Sequence, residues 1–173
     1  MKKLHILFIA LFASLFVMTS WTAVEYYAPT GDESPGDILL GDWRPSNGRS
    51  VIRISKGEAS KGQDANKYYG RIVWLKEKNN KDGSPRVDEN NPDESKRSQK
   101  ILGMTNMRDL EFVGSANELV WENGNIYDPN NGSDYSFEME MDKKNTNIVN
   151  GRGYIGVSMF GRTDTWKRMV KKD

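Results

Sequence analysis

The sequence predicts an all-β fold, a single antiparallel β-barrel of about eight strands with one long loop. Three observations predict it. Short runs of β-branched, aromatic and alternating residues recur between turn-forming residues from position 38 to position 170. The sequence shows no convincing 3.6-residue apolar period after the first two dozen residues. A Gly-x-Trp motif begins the first predicted strand, and a Trp-x-Arg motif lies on the last.

The two terminal motifs favour a closed barrel over a sandwich. Trp43 can fill one end of a barrel while Arg168, from the last strand, lies across its ring in a cation–π contact. We therefore predict that four residues close the barrel and bind no ligand: Gly41, Trp43, Trp166 and Arg168.

The N-terminal residues 1–23 have the layout of a Sec-type signal peptide. Lys2 and Lys3 precede an apolar run over residues 4–17, which small and polar residues follow. Because the bulky Trp21 lies just before a candidate cleavage site, an uncleaved helical anchor stays open as an alternative. The segment predicts an extracytoplasmic protein, periplasmic or secreted. Residues 24–37, rich in Pro, Gly and acidic residues, are predicted to be a linker to the barrel domain, residues 38–170.

Composition excludes several kinds of chemistry. The chain has 25 basic and 24 acidic residues, and loss of Lys2 and Lys3 leaves 23 against 24, a net charge of −1 with no sign of nucleic-acid binding. It contains no Cys, and its one histidine, His5, lies in the predicted signal peptide. The mature chain therefore has no Ser-His-Asp triad, thiol nucleophile, disulfide, or imidazole or thiolate metal site. We predict no cofactor and no enzymatic activity.

The strands are predicted from β-branched and aromatic residues between turns. The alternation is clearest over residues 134–142, where Tyr135, Phe137 and Met139 share one face and acidic residues take most of the other. The predicted strands cover residues 38–44, 49–55, 67–76, 108–113, 118–122, 134–142, 148–160 and 162–170, with a further short segment at 124–127.

Two acidic segments resemble cation sites but are better explained as turns. Residues 128–139 carry oxygen ligands at alternate positions, but Ser133 and Met139 replace the Gly and Glu that a calcium loop needs. Gly132 then fits a hairpin turn. Residues 88–94, in the long loop 77–100, are the densest acidic cluster, and Asx turns in a solvated loop explain them more simply than a bound cation. We predict no metal site.

Several spaced motifs resemble the secreted bacterial proteins of domain-of-unknown-function family 2147 (DUF2147). The resemblance covers residues 41–168, and it implies a lipocalin-like (calycin-type) barrel, an extracytoplasmic address and no particular activity. The matching motifs are Gly41-x-Trp43, Gly70-Arg71-Ile72-Val73-Trp74, Asp88-x-Asn90-x-Pro92-Asp93, Leu102-Gly103, Trp121-x-x-Gly124-x-Ile126-Tyr127-Asp128-Pro129-x-x-Gly132-x-x-Tyr135, Arg152-Gly153-Tyr154-x-Gly156 and Gly161-Arg162-Thr163-x-x-Trp166-x-Arg168.

Arginine, aromatic and methionine residues on four predicted strands form a candidate ligand site. If their side chains point inward, guanidinium groups can bind a carboxylate or phosphate above an apolar cavity. Alternatively, Arg152, Arg162 and Asp164 form a structural ion-pair network at the rim, and alternation does not decide because nearby glycines can introduce bulges. The candidate ligand-binding residues are Arg71, Trp74, Arg152, Tyr154, Arg162, Phe137 and Met139.

Three functions remain open on the sequence alone. The favoured one is a non-enzymatic cell-envelope protein that binds a small amphipathic or anionic ligand, such as a lipid or fatty acid, at the open mouth under the long loop. The second is an interaction protein that binds a partner through loop 77–100, and the third, weaker, is a carboxylate-based hydrolase of envelope glycan. Membrane contact is expected only through an uncleaved signal segment.

Overall fold

A computed structural model describes residues 34–170, which form a closed antiparallel barrel of eight strands. Each strand pairs with the next in the chain, and β8 pairs with β1 to close the barrel. This confirms the predicted fold class. The strands are β1 (Gly41–Arg44), β2 (Ser50–Lys56), β3 (Tyr68–Leu75), β4 (Thr105–Phe112), β5 (Leu119–Asp128), β6 (Ser133–Met141), β7 (Ile148–Tyr154) and β8 (Arg162–Arg168).

The segment before β1 differs from the prediction. A 3-10 helix, Pro35–Leu39, occupies the end of the expected linker 24–37 and the start of the expected first strand. The Ser34 side chain accepts a hydrogen bond from the Gly36 amide, and Leu39 is fully buried. Burial of Leu39 thus joins this helix to the domain. The predicted signal peptide, residues 1–23, and residues 24–33 lie outside the described part of the chain. Within residues 34–170, no helix has the length and apolar character needed to cross a membrane.

The predicted boundaries change most in two strands, β5 and β7. The segments 118–122 and 124–127 form one strand, β5, whose register shifts between Trp121 and Gly124. A Cβ atom on Gly124 would lie 2.6 Å from the Leu110 side chain, so glycine allows β4 to approach closely here. The predicted strand 148–160 instead ends at Tyr154, because Gly156 at φ 78° turns the chain into a 3-10 helix, Ser158–Phe160.

Alternate connections of this up-and-down barrel lie at the same end. One end, which we call the closed end, carries the 3-10 helix Pro35–Leu39 and the β2–β3, β4–β5 and β6–β7 connections. The other, the open end, carries the β1–β2, β5–β6 and β7–β8 connections and the long β3–β4 connection. The buried core fills the barrel between them and includes Ile54, Tyr68, Met107, Leu110, Trp121, Met139 and Val149.

Trp43 and Arg168 meet at the closed end. The guanidinium carbon of Arg168 lies 4.2 Å from the centroid of the Trp43 ring, and the Trp43 indole donates a 2.8 Å hydrogen bond to the Leu39 carbonyl. Arg168 also donates to the carbonyls of Ile38, Leu40 and Thr146. One arginine thus ties β8 to the helix before β1 and to the β6–β7 connection.

Gly41 leaves space for that arginine. Its φ is 121°, a conformation that favours glycine, and a Cβ atom there would lie 3.2 Å from the Arg168 guanidinium. Trp166 lies elsewhere: its ring packs against Phe137 at 5.8 Å between centroids, towards the open end.

Candidate functional site: a cavity at the open end

A cavity of about 380 Å³ lies at the open end of the barrel. Its size falls in the range of small-molecule sites, roughly 300–1,000 Å³. Inward-facing residues of the strands and Ile101 of the long connection form an apolar wall. This apolar wall consists of Ile52, Ile72, Ile101, Ile126, Phe137 and Trp166.

Charged groups of both signs line the cavity, and its carboxylates accept hydrogen bonds from neighbouring residues. Asp164 accepts a 3.1 Å hydrogen bond from the Trp166 indole, and Asp128 accepts bonds from the amide and side chain of Asn130. Among residues 34–170, the guanidinium groups of Arg49 and Arg162 make no hydrogen bond or ion pair, and the one contact of Arg86 is a 3.5 Å bond to Asn130. The lining carries three arginines and two aspartates, so its net charge is positive, and the guanidinium groups of Arg49 and Arg162 keep their donors free for a ligand.

Asn106 supplies a polar group deeper in the cavity wall. The residue is only 5% exposed, and its amide nitrogen donates a weak 3.4 Å hydrogen bond to the Tyr127 carbonyl. Its Oδ1 has no partner among the described residues. A buried carbonyl oxygen without a donor is unfavourable, so a hydroxyl group or water in the cavity would be bound here.

The long connection is fastened to the barrel by a buried carboxylate. Asp88 is fully buried and accepts a 2.9 Å hydrogen bond from the Tyr127 hydroxyl and a 2.6 Å bond from the Asn91 side chain. Asn90 donates to the carbonyls of the β5–β6 turn, where a Cβ atom on Gly132 would lie 1.9 Å from the Asn90 carbonyl oxygen. These contacts make the connection a wall of the cavity, to which it contributes Arg86 and Ile101.

The acidic cluster 88–94 is therefore more than a solvated loop. Asp93 and Asn91 make the predicted Asx turns, accepting from the amides of Ser95 and Asp93. Asp88, in contrast, is buried and holds the connection to β5. Nothing in the sequence distinguishes it from the acidic residues around it. Across residues 34–170, no group of three acidic, His or Cys side chains is placed to hold a metal ion.

The hydrogen bond between Tyr127 and Asp88 predicts that the stability of the protein depends on pH. Burial, and next the hydrogen bond to Asp88, raise the pKa of Tyr127 to about 12, whereas an unfolded tyrosine titrates near pH 10. The folded state holds this proton more tightly, so the contribution of Tyr127 is complete below about pH 10 and is lost as pH rises towards about 12. The free energy of unfolding should fall by up to about 1.4 kcal/mol per pH unit in that window from this group.

Denaturant unfolding between about pH 8 and about pH 11 tests this dependence, with the range chosen to span the tyrosine titration. Tyr127→Phe should have a shallower alkaline slope than the unsubstituted protein. Some slope should remain, because burial also raises the pKa of Tyr68 and Tyr69. Identical slopes for the two proteins would contradict this role of Tyr127.

The structure brings only part of the predicted ligand site together. Arg162 and Phe137 line the cavity, whereas Met139 is packed in the core beneath it. Strand β8 directs Arg162, Asp164 and Trp166 inward. In β7 the inward positions are Gly151 and Gly153, so the residues between and after them, Arg152 and Tyr154, face outward.

Four predicted site residues lie outside the cavity. Arg71 is exposed on the outer surface and donates to the Gly103 carbonyl, and Trp74 is 41% exposed beneath the Arg44 guanidinium. Arg152 donates to the carbonyls of Ser158 and Met159 and to the Thr163 hydroxyl, and Tyr154 neighbours it on the same face. The alternative ion-pair network with Asp164 is not formed either, because the carboxylate near Arg152 is Glu138, at 3.9 Å.

Sequence reasoning missed Arg49, Arg86, Asn106 and Ile101 as cavity residues. Arg49 is the first residue of the predicted strand 49–55 and directly precedes β2, and Arg86 lies in the polar loop 77–100, which has no period to orient its side chains. Asn106 lies in β4, where the pairing with β3 shifts register and Asp109 has a φ of 57°, so alternation there gives no reliable inward face.

Comparisons with known proteins agree with the barrel. The family model described as "Uncharacterized protein conserved in bacteria (DUF2147)" matches residues 41–168. The chain is similar to a solved structure titled "Protein HP1028 from the human pathogen Helicobacter pylori belongs to the lipocalin family", with 20% sequence identity and a TM-score of 0.59, covering 76% of this chain and 83% of that one. No curated protein sequence matches significantly. The predicted lipocalin-like fold is thereby confirmed.

Proposed function

The chain belongs to the DUF2147 family of bacterial proteins, and we propose that its barrel is a non-enzymatic binder of a small amphipathic anion such as a fatty acid. One observation carries the proposal. Two guanidinium groups with no partner among residues 34–170, those of Arg49 and Arg162, lie at the mouth of a cavity whose inner wall is apolar. Charge-assisted bonds to a carboxylate or phosphate, above an apolar body, suit this arrangement.

The volume of the cavity limits the size of the ligand. One methylene group occupies about the volume of one water molecule, roughly 30 Å³, so about 380 Å³ holds on the order of a dozen heavy atoms. Dodecanoate is therefore a suitable probe. Its chain would lie against Phe137 and Trp166, with its carboxylate towards the arginines.

Isothermal titration with dodecanoate tests the proposal, with dodecanol as the neutral analogue. We expect saturable one-to-one binding of dodecanoate that weakens with added salt. Dodecanol should bind less tightly. Absence of saturable binding, together with no ligand co-purifying in native mass spectrometry, would count against a binding function.

Arg162 should set the preference for an anion. Arg162→Gln is expected to weaken dodecanoate binding about 5- to 10-fold, the effect of one partly solvated charge-assisted hydrogen bond, and to leave dodecanol binding unchanged. Arg71→Gln is the matched control, because Arg71 is exposed on the outside of β3. Equal losses in the two variants would mean that the effect is long-range charge and not contact.

The barrel cavity, and not the long connection alone, is the proposed binding element. Asp88 fastens residues 77–100 to β5, and Asn90 fastens them to the β5–β6 turn; both contacts favour a role of the connection as a cavity wall.

We also propose that the protein works outside the cytoplasm. Support comes from the basic residues Lys2 and Lys3 and the apolar run 4–17 that follows them. Cell fractionation, with N-terminal sequencing of the recovered protein, tests this. Recovery of the full-length chain from the cytosol would contradict it.

A further inference from the structure

We infer that the β7–β8 connection, residues 155–161, docks the open end of the barrel on the surface of an anionic lipid bilayer. Four large apolar side chains of this rim loop are exposed: Ile155 by 73%, Val157 by 56%, Met159 by 78% and Phe160 by 80%. This inference goes beyond the proposed function and does not rest on it, because docking requires no ligand in the cavity.

Hydrogen bonds from Arg152 and to Glu138, both on the outer face of the barrel, fix the conformation of the rim loop. Arg152 donates a 2.7 Å hydrogen bond to the Ser158 carbonyl and a 3.1 Å bond to the Met159 carbonyl, and the Ser158 hydroxyl donates to Glu138. These bonds direct the polar groups of the loop towards the barrel and leave its apolar side chains outside. The ordering of the loop is thus complete before docking, which favours binding.

Charge and position favour a bilayer. Arg162 directly follows the rim loop, and Arg49 lies at the same end; the guanidinium groups of both are unpaired within residues 34–170. Two further exposed apolar residues, Trp74 and Leu102, also lie towards the open end. Interfacial binding combines insertion of apolar side chains with attraction to anionic headgroups, and one lipid surface supplies both.

A protein partner fits the rim loop less well. Stable protein interfaces bury roughly 1,200–2,000 Å² with close complementarity, which a projecting loop of a few residues does not provide. Insertion into a bilayer needs only a few side chains on a rigid base. The rim loop has both.

Co-sedimentation with lipid vesicles tests the inference. The full chain is mixed with vesicles of phosphatidylcholine alone or with an equal amount of phosphatidylglycerol. We expect binding to the anionic vesicles that weakens in salt, and little binding to the neutral ones. The double variant Met159→Ser/Phe160→Ser should bind at least about tenfold more weakly, from the loss of two inserted apolar side chains.

The matched control is Val113→Ser/Met169→Ser, which removes two exposed apolar residues near the closed end. It should bind vesicles like the unsubstituted chain, and thermal unfolding should show that both double variants keep the barrel. A cavity-filling variant, Gly153→Leu, should also bind vesicles normally, which separates docking from ligand binding.

Three results would overturn the inference. The first is a chain that stays in the supernatant with anionic vesicles, and the second is a rim-loop variant that sediments as well as the control. The third is a dimer in analytical ultracentrifugation that the rim-loop variant abolishes, without vesicle binding, which would make a second copy of the chain the occupant.

Discussion

Trp43→Ala is expected to lower the free energy of unfolding by about 3–5 kcal/mol, the usual loss for a large aromatic side chain removed from a core. Trp43 is fully buried at the closed end, where its indole binds the Leu39 carbonyl and its ring carries the Arg168 guanidinium. The substitution therefore leaves a cavity and also removes the surface on which Arg168 lies. Urea unfolding, followed by far-UV circular dichroism, measures the change.

Trp74→Ala is the matched control for this prediction. Trp74 is 41% exposed on the outside of β3, and its contact with Arg44 is a cation–π pair at 5.3 Å. Exposed pairs of this kind contribute about 0.5–1 kcal/mol, so the control should be much less destabilised than Trp43→Ala. Similar losses for the two tryptophans would contradict the role of Trp43 in closing the barrel.

Gly153→Leu is expected to abolish binding of dodecanoate, with at least about a 100-fold loss of affinity if the chain occupies the cavity. Gly153 is an inward residue of β7 that lines the cavity, and its φ is not in the left-handed region. A Cβ atom there would make ordinary contacts, 3.6 Å from Tyr135 and 3.9 Å from Ile126. The leucine side chain would thus enter the cavity without disturbing the strands.

Two comparisons sharpen this test. Asn150→Leu places the same side chain on the exposed, outward side of β7 and should leave dodecanoate affinity unchanged. Gly151→Leu, in contrast, should destabilise the fold, because a Cβ atom there would lie 2.7 Å from the Phe137 ring. Full binding by a folded Gly153→Leu protein would mean that the ligand site lies elsewhere.

The barrel was predictable because its local signals agree. Alternation in β6 buries Phe137, Met139 and Met141 and exposes Glu140, and this requires a sheet with one apolar face. Short turns separate most of the strands, and several contain glycine, as at Gly132 with φ 72°. Closure of the barrel was harder to predict, and it was indicated by Trp43 on the first strand and Arg168 on the last.

The site was less predictable because inward and outward faces depend on register. Arg152 lies in β7 and Arg162 in β8, but only Arg162 lines the cavity, because Gly151 and Gly153 take the inward positions of β7. A shift of one residue along a strand moves an arginine from the inner face, where it can contact a ligand, to the outer face, where Arg152 holds the β7–β8 connection. Asp88 could not be identified either, because burial of one carboxylate in an acidic loop depends on the distant hydroxyl of Tyr127.

The most direct measurement is a crystal structure of the protein grown with dodecanoate. We expect the acyl chain in the open-end cavity against Phe137 and Trp166, with the carboxylate in hydrogen-bond contact with Arg162 or Arg49. Ordered water alone in the cavity, with dodecanoate bound on the outer surface of the barrel, would contradict it.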